Sequence, residues 1–227
     1  MKARGLHALR GEWRGMIRIA VLLSGRHGRG SNMESIARAC AAGAIDGRIV
    51  LVLGNFSSSP ALARAQDLGL TADTLPSPGK HAAPEDEDAY ADALLAMLDT
   101  AQPDLVCLAG YIRKVPLAVV RRYAGRMINM HNALLPAFGG RGMYGANVHQ
   151  AAIDYGVKVS GCTVHFVDEH YDTGPIILQS VVPVLDDDTA DTLAARVLTA
   201  EHQAFPQAVA WFAQGRLRIE ARRVRVF

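Results

Sequence analysis

The sequence predicts an α/β protein with a doubly wound, mostly parallel Rossmann-like sheet and a C-terminal antiparallel strand pair. Two observations carry this prediction. Apolar strand-like runs alternate with amphipathic helical segments from residue 17 to about residue 130, an order typical of parallel sheets covered by helices. Two long segments of alternating character follow at residues 159–167 and 176–185, joined by a short turn rich in Asp and Gly.

The first half of the chain supplies most of the parallel sheet. The run Ile17–Leu23 is apolar except for Arg18 and predicts a buried parallel strand. A helix is predicted from Ser31 to about residue 42, because Ser31 and Glu34 have the spacing of a capping box. The pattern then predicts a strand at 48–54, a helix at 60–68, a short strand at 71–75, and a helix at 85–101 with Tyr90, Leu94, Leu95 and Leu98 on one face.

The second half completes the sheet and closes the body. A strand at 104–109, a helical stretch at 116–123 and a strand at 126–130 continue the repeat. A glycine-rich loop at 132–146 and a short helix at 147–155 precede the two alternating strands. A last helix is predicted at 190–214, with Gly215 as its natural stop, and its inner stripe comprises Leu193, Val197, Ala200, Ala204 and Phe212.

The composition excludes several classes of protein. The chain has 227 residues, of which 50% are hydrophobic and 20% charged, with a net charge of +2, as in a globular protein with one substantial core. The small net charge gives no reason to expect nucleic acid or anionic lipid as a partner. No apolar run approaches the roughly 20 residues of a membrane helix. Three widely separated cysteines, Cys40, Cys107 and Cys162, are expected to be reduced and buried, which indicates a cytoplasmic location.

Residues 1–15 differ from the rest of the chain. They mix Arg, Gly and Leu without the apolar core of a secretory signal, and we expect a disordered leader. Met16 directly precedes the first strand and is a candidate start. Residues 16–227 show no internal repeat and no linker, so they are expected to form a single domain.

A glycine-rich loop at residues 24–32 connects the first strand to the first helix. Glycines in this position let backbone N–H groups and the helix dipole meet an anion. The glycine spacing does not match the dinucleotide pattern, and Ser31 stands where a triphosphate loop needs Lys. Two interpretations stay open and are mutually compatible: a monophosphate site with Gly30, Ser31 and Asn32 as donors, or a tight turn in which Ser31 only caps the helix.

Asn129 and His131 form the core of a candidate catalytic site. Residues two apart on a strand point the same way, and ligands of α/β sheets lie at the carboxyl ends of strands. An amide and an imidazole there suit the charge and proton changes of acyl transfer. Asp172, in the turn between the last two strands, would hold or charge the imidazole if that turn folds back.

Each member of this trio also has an ordinary structural interpretation. His131 could be a hydrogen-bonded core histidine, Asn129 an amide that ties down a loop, and Asp172 a turn-forming residue. Their joint placement favours a site. His149 and His165 raise the question of a metal, but no spacing typical of zinc ligands occurs and no metal site is expected. We expect His165 to face the same cleft as a supporting residue.

Several ordered segments resemble the folate-dependent formyltransferase family. The resemblance runs from about Ile17 to Leu217 and is carried by Ile128-Asn129-Met130-His131, Leu134-Leu135-Pro136, Gly161-Cys162-Thr163-Val164-His165-Phe166-Val167 and Asp172-Thr173-Gly174-Pro175-Ile176-Ile177. It implies the formyltransferase fold. It also implies that a formyl group passes from the co-substrate 10-formyltetrahydrofolate to the amine of glycinamide ribonucleotide, in purine biosynthesis. A tetrahedral intermediate is expected, without a metal or a covalent enzyme adduct.

The resemblance also assigns roles to residues. His131 would donate a proton, Asn129 would bind the carbonyl oxygen, and Asp172 would raise the pKa of His131 and relay protons. Glu201 would bind the substrate, and the substrate phosphate would be held by Gly30, Ser31 and Asn32. The residues implied in folate binding are Ile112, Arg113, Lys114, Val115, Asn129, Asp168, Glu169, His170, Tyr171 and Asp172.

The chain departs from the family pattern in four places. The phosphate loop is longer, with the extra residues near 26–29, and the loop at 139–145 is extended. Asn132 and Ala133 stand where Pro and Ser are common. Glu87 stands where some relatives carry an Arg that contacts folate.

Three other functions are alternatives to formyl transfer to a ribonucleotide. A formyltetrahydrofolate hydrolase carries an N-terminal regulatory domain, and a methionyl-tRNA formyltransferase carries a C-terminal RNA-binding domain; neither domain is expected here. A non-catalytic relative should have lost part of the trio, which is intact. The glycine loop further favours a phosphorylated small acceptor. We therefore expect small-molecule substrates as partners, while a homodimer stays open because the sequence identifies no interface.

Overall fold

Apolar runs form the parallel part of the sheet, since strands buried on both faces need apolar residues throughout. The computed structural model describes residues 15–25, 29–79 and 81–227; the predicted leader lies outside them, apart from Gly15. The first five strands are β1 (Ile17–Leu23), β2 (Gly47–Gly54), β3 (Ala72–Thr74), β4 (Leu105–Leu108) and β5 (Met127–His131). They are parallel in the order β3-β2-β1-β4-β5. The predicted doubly wound sheet is confirmed.

The sheet changes direction at β5. Strand β6 (Val159–Phe166) runs antiparallel to β5, and β7 (Ile176–Pro183) runs antiparallel to β6, which confirms the predicted strand pair. Asn129 pairs with His165 and His131 with Thr163 in this register. The candidate catalytic residues of β5 therefore lie beside a strand of opposite direction.

Helices cover both faces of the sheet: α1 (Ser31–Ala41), α2 (Pro60–Asp67), α3 (Pro84–Ala101), α4 (Leu117–Arg122), α5 (Ala146–Tyr155) and α6 (Ala190–Ala213). Alternate residues of β1 point to opposite faces. Ile19 and Val21 therefore belong to the core that contains residues of α1 and α6, whereas Ala20 and Leu22 belong to the core under α3 and α4. Within the part of the chain that the structure describes, no helix combines the length and the apolar content needed to cross a membrane.

Helix α6 follows the predicted stripe. Leu193, Val197, Ala204 and Phe212 are buried, and Ala200 packs against the same core as a partly buried residue. The helix ends at Ala213, and Gly215 follows with a φ of +67°. This left-handed conformation is the one that favours glycine after a helix, so the predicted stop is confirmed.

The capping box predicted for α1 is wrong. Gly30, with a φ of +70°, occupies the cap position, and no side chain caps this helix. Ser31 is instead the first helical residue. The Glu34 carboxylate accepts hydrogen bonds from Arg64 and Arg38 at 2.6 Å each, because a charged donor binds a carboxylate more strongly than a backbone N–H does.

A C-terminal hairpin extends the sheet beyond the predicted elements. Its strands are β8 (Leu217–Glu220) and β9 (Arg223–Val226), and β9 meets β7 where Ile176 pairs with Arg223. Between the two strands, Arg222 donates through Nη2 to the Thr173 carbonyl at 2.9 Å. The hairpin thus supports the turn that carries Asp172.

Candidate active site

A cleft of about 750 Å³ lies where the ends of β1, β4 and β5 meet the glycine-rich loop 132–145 and the turn 167–175. This is the edge of an α/β sheet at which ligands bind. Among the residues that the structure describes, no three His, Cys, Asp or Glu side chains form a potential metal site. The cleft brings together thirteen of the predicted site residues: Asn32, Ile112, Arg113, Lys114, Val115, Asn129, His131, His165, Asp168, His170, Tyr171, Asp172 and Glu201.

Three predicted residues do not line the cleft in the described part of the chain. Gly30 and Ser31 sit at the start of α1 next to Asn32, which does line it. Glu169 is exposed, and its carboxylate accepts from Arg121 Nε on α4 at 3.1 Å. The turn therefore presents Asp168, His170 and Tyr171 to the cleft and directs Glu169 elsewhere.

His131 is buried at the end of β5 between two oxygen atoms. Its Nε2 lies 2.9 Å from the Phe138 carbonyl, and its Nδ1 lies 3.7 Å from Oδ2 of Asp172. A carbonyl only accepts hydrogen bonds, so Nε2 carries the proton of the neutral ring. Protonation of Nδ1 would give the ring a positive charge, and the protonated nitrogen would face the Asp172 carboxylate.

The pKa of His131 lies below its ordinary value. Burial lowers it most, the Asp172 carboxylate and the Phe138 carbonyl raise it, and His165 lowers it again. The upward effect expected of Asp172 is therefore present, but desolvation outweighs it. The pKa of His131 is therefore lowered, whereas the sequence predicts that it is raised. The ring is neutral at neutral pH.

Asp172 connects the turn, the two histidines and the glycine-rich loop. Its backbone has a φ of +55°, its Oδ2 accepts from the Gly140 N–H at 2.8 Å, and its Oδ1 lies 3.6 Å from His165 Nε2. Burial would raise the pKa of Asp172, but His165, His131 and the Gly140 N–H together lower it below the ordinary value. Asp172 is therefore a carboxylate that faces both rings.

The amide of Asn129 is oriented by His165. The Asn129 Nδ2 lies 3.1 Å from His165 Nε2, and His165 Nδ1 lies 2.9 Å from the Phe166 carbonyl. Because that carbonyl only accepts, Nδ1 carries the proton and Nε2 accepts from the amide. One amide hydrogen of Asn129 is thereby left for a reacting oxygen in the cleft.

Asn32 and Glu201 form a polar wall at another part of the cleft. Asn32 Nδ2 donates to Oε2 of Glu201 at 2.6 Å. Burial raises the pKa of Glu201, and the bond from Asn32 lowers it by a smaller amount. Two buried oxygens of cleft-lining residues, Asn32 Oδ1 and Ser24 Oγ, have no hydrogen-bond partner within residues 15–25, 29–79 and 81–227. Buried polar atoms normally have partners, so this wall suits a polar ligand.

Comparison with known proteins decides the family. The sequence profile of the family described as formyl transferase matches residues 17–209. The chain belongs to the formyl transferase family. The match covers both the parallel sheet and the antiparallel pair, and it includes Asn129, His131 and Asp172.

Individual relatives of this formyl transferase agree with that result. A chloroplastic phosphoribosylglycinamide formyltransferase of Vigna unguiculata is 41% identical over 85% of this chain, which spans 59% of the relative's length. The phosphoribosylglycinamide formyltransferase of Escherichia coli K12 is 38% identical over 88% of this chain and 89% of its own. The crystal structure of glycinamide ribonucleotide transformylase 1 from Symbiobacterium toebii matches with a TM-score of 0.83 at 41% identity, over 93% of this chain and 94% of that one.

Glu87 has a defined place in this formyl transferase. Its carboxylate forms an ion pair with Arg113, which also donates to the Pro78 carbonyl at 2.9 Å and lies 5.1 Å from the centre of the Tyr90 ring. Lys114 lies on the same wall, with Nζ 6.0 Å from the centre of the Tyr171 ring. Glu87 therefore holds Arg113 against the cleft wall.

Several residues that line the cleft of this formyl transferase are not among the predicted site residues. Among them are Ser24, Arg141, Tyr144 and Asn132. Ser24 begins the glycine loop, and Arg141 and Tyr144 belong to the extended loop 139–145. Asn132 directly follows His131, so an amide in that position was the available signal.

Proposed function

We propose that this formyl transferase is a phosphoribosylglycinamide formyltransferase. It moves the formyl group of 10-formyltetrahydrofolate to the amine of glycinamide ribonucleotide, a step of purine biosynthesis. The observation that carries the proposal is the meeting of Asn129, His131 and Asp172 in one cleft. Relatives of that name, 38% and 41% identical over most of this chain, support it.

The acceptor amine attacks the formyl carbon and gives a tetrahedral intermediate with a negative oxygen. The free amide hydrogen of Asn129 stabilises this oxygen, and one such donor contributes roughly 10²–10³-fold in rate. The attacking amine passes a proton to the neutral His131 ring, and the resulting imidazolium gives a proton to the folate nitrogen as that nitrogen departs. Asp172 stabilises the imidazolium while the ring is charged. No step of this scheme requires a metal.

Each substrate has its own wall of the cleft. Gly30, Ser31 and Asn32 hold the phosphate at the start of α1, where unpaired backbone N–H groups favour an anion, and Glu201 holds the rest of the ribonucleotide. The folate lies against Ile112, Arg113, Lys114 and Val115 and against the turn from Asp168 to Asp172. Asn132 to Gly145 close the cleft above the reacting groups.

Residues 16–227 form one formyltransferase domain that works in the cytoplasm on small-molecule substrates, without nucleic acid. The residues of one chain are enough to line the cleft.

The deciding experiment measures turnover of 10-formyltetrahydrofolate with and without glycinamide ribonucleotide. Consumption that depends on the ribonucleotide and yields the formylated product supports the proposal. Release of formate at the same rate without the acceptor identifies a hydrolase instead. A His131→Ala preparation, purified identically, controls for contaminating activity.

A further inference from the structure

Asn132 joins the catalytic strand to the end of the glycine-rich loop. It directly follows His131 and lines the cleft. Its Nδ2 donates to the Gly145 carbonyl at 3.1 Å and lies 3.0 Å from Nε2 of His149 on α5. The Asn132 side chain therefore links the end of the loop to the buried His149, directly after His131 in the chain.

The direction of these hydrogen bonds follows from the partners. The Gly145 carbonyl only accepts, so the nitrogen end of the Asn132 amide must face it. The same nitrogen faces His149, so the second amide hydrogen is donated to Nε2. His149 must then carry its ring proton on Nδ1.

The surroundings of His149 favour a neutral ring, and the tautomer follows from the bond to Asn132 alone. The ring is buried, and its Nδ1 has no hydrogen-bond partner in the described part of the chain. Burial lowers the pKa of His149, and so does the charge of His131. A second positive ring beside His131 is thereby avoided.

Three of the hydrogen bonds made by the loop lie near His131, and they differ in kind. The Phe138 carbonyl contacts His131 Nε2, and the Gly140 N–H contacts Asp172 Oδ2, so both of these bonds use groups that take part in proton transfer. The bond from Asn132 to Gly145 uses none. Of the three, it is the one in which neither partner is an ionisable group.

We propose that Asn132 is a positioning residue for formyl transfer, which keeps the glycine-rich loop closed beside His131 and fixes His149 as the neutral Nδ1–H tautomer. This proposal rests on the proposed function. It assigns a role to a residue that stands where the family commonly has proline. The side-chain hydrogen bonds of Asn132 go to the loop end and to His149, and Asn132 acts through these two partners.

The first test compares Asn132→Ala with Asn147→Ala. Asn147 is exposed and donates to the Gly142 carbonyl of the same loop at 3.3 Å, so its replacement removes a similar bond away from His131. We expect Asn132→Ala to lower kcat by about 10- to 100-fold, because small misplacements of reacting groups have effects of this size. KM for both substrates should stay within about threefold, and Asn147→Ala should keep the wild-type kcat.

The second test is spectroscopic and needs no activity. Long-range ¹H–¹⁵N NMR spectra report which ring nitrogen of His149 carries the proton. The wild type should show the Nδ1–H tautomer, and the nearly isosteric Asn132→Asp should shift His149 to the Nε2–H form or the imidazolium, because a carboxylate only accepts. Asn132→Asp should also lose at least as much kcat as Asn132→Ala.

The outcomes separate the two proposals. A wild type that does not formylate glycinamide ribonucleotide overturns the proposed function, whatever the spectra show. An active wild type with an Nε2–H proton on His149 overturns the role of Asn132. The role of Asn132 is also overturned if the wild type is active and both Asn132→Ala and Asn132→Asp keep its kcat within about twofold.

Discussion

The chemistry of His131 is set by the two oxygen atoms on either side of its ring. The Phe138 carbonyl holds the proton on Nε2, and Asp172 faces Nδ1. Burial keeps the resting ring neutral, while the carboxylate makes the charged ring accessible during turnover. A histidine balanced in this way can accept and return a proton within one catalytic cycle.

Replacement of His131 tests its role as the proton donor. We expect His131→Ala to lower kcat by about 10²–10⁴-fold, the usual contribution of a positioned acid or base. Circular dichroism should show an unchanged fold. His81→Ala, which removes an exposed imidazole, should retain full activity. A His131→Ala enzyme with near-normal kcat would remove this residue from the mechanism.

The pH dependence tests the link between Asp172 and His131. The negative charge of Asp172 raises the pKa of His131, so Asp172→Asn lowers it further. The inflection of the kcat/KM profile that belongs to His131 should therefore move to lower pH, with a smaller maximal rate. The measurement is a full pH–rate profile of both proteins, and coincident profiles would contradict the coupling.

The meeting of the candidate catalytic residues in one cleft was predictable from the sequence, but their protonation was not. Asn129 and His131 share a strand face, and Asp172 lies in a turn with a specific motif. Burial of His131 and its contact with Phe138 depend on the path of the loop 132–145, which no local pattern specifies. For the same reason, the contact between Asn132 and His149 emerges only in three dimensions.

At the scale of elements, the turn at 167–175 depends on a glycine. A Cβ added at Gly174 would lie 1.7 Å from the Phe166 carbonyl oxygen, a backbone atom that cannot move aside without disturbing β6. The turn that carries Asp172 is therefore packed directly on the strand that carries His165.

Substitution of Gly174 tests this close approach. We expect Gly174→Ala to reduce the free energy of unfolding by about 3 kcal/mol or more, since overpacking against backbone forces the chain to shift. Gly79→Ala is the matched control, because a Cβ there meets no heavy atom within 4 Å. Urea unfolding of both variants gives the comparison, and equal stabilities would contradict the packing.

Elements with strong periodicity were predicted well, and those that depend on distant partners were not. The apolar runs of β1, β2 and β4 are sufficient to predict these strands from the sequence. The capping box failed because Arg64, from another helix, binds Glu34. The hairpin of β8 and β9 was missed because its four-residue strands alternate Arg with apolar residues, a pattern too short to separate from loop.

At the scale of the whole molecule, the cleft draws on both parts of the sheet. The parallel part supplies Asn129 and His131, the antiparallel pair supplies His165 and Asp172, and α6 supplies Glu201. Neither part contains a complete site. The site therefore forms only when both parts of the sheet and α6 are folded together.

Ligand-induced stabilisation tests whether the two walls of the cleft bind different substrates. A ligand present at 100 times its Kd stabilises the folded protein by about 2.7 kcal/mol, which raises Tm. Asn32→Ala should reduce the rise in Tm caused by glycinamide ribonucleotide and leave the rise caused by tetrahydrofolate intact. Thermal scans with each ligand provide the measurement, and an equal loss for both ligands would contradict the assignment of the walls.

Asp172 offers one negative charge to two imidazoles, at 3.7 Å from His131 and 3.6 Å from His165. A single charge compensates one added proton, and the neighbouring His165 lowers the pKa of His131. The buried site is therefore suited to hold one added proton at a time. In the proposed scheme His131 takes one proton from the amine and returns one to the folate nitrogen, so the net charge of the buried site is the same before and after each turnover.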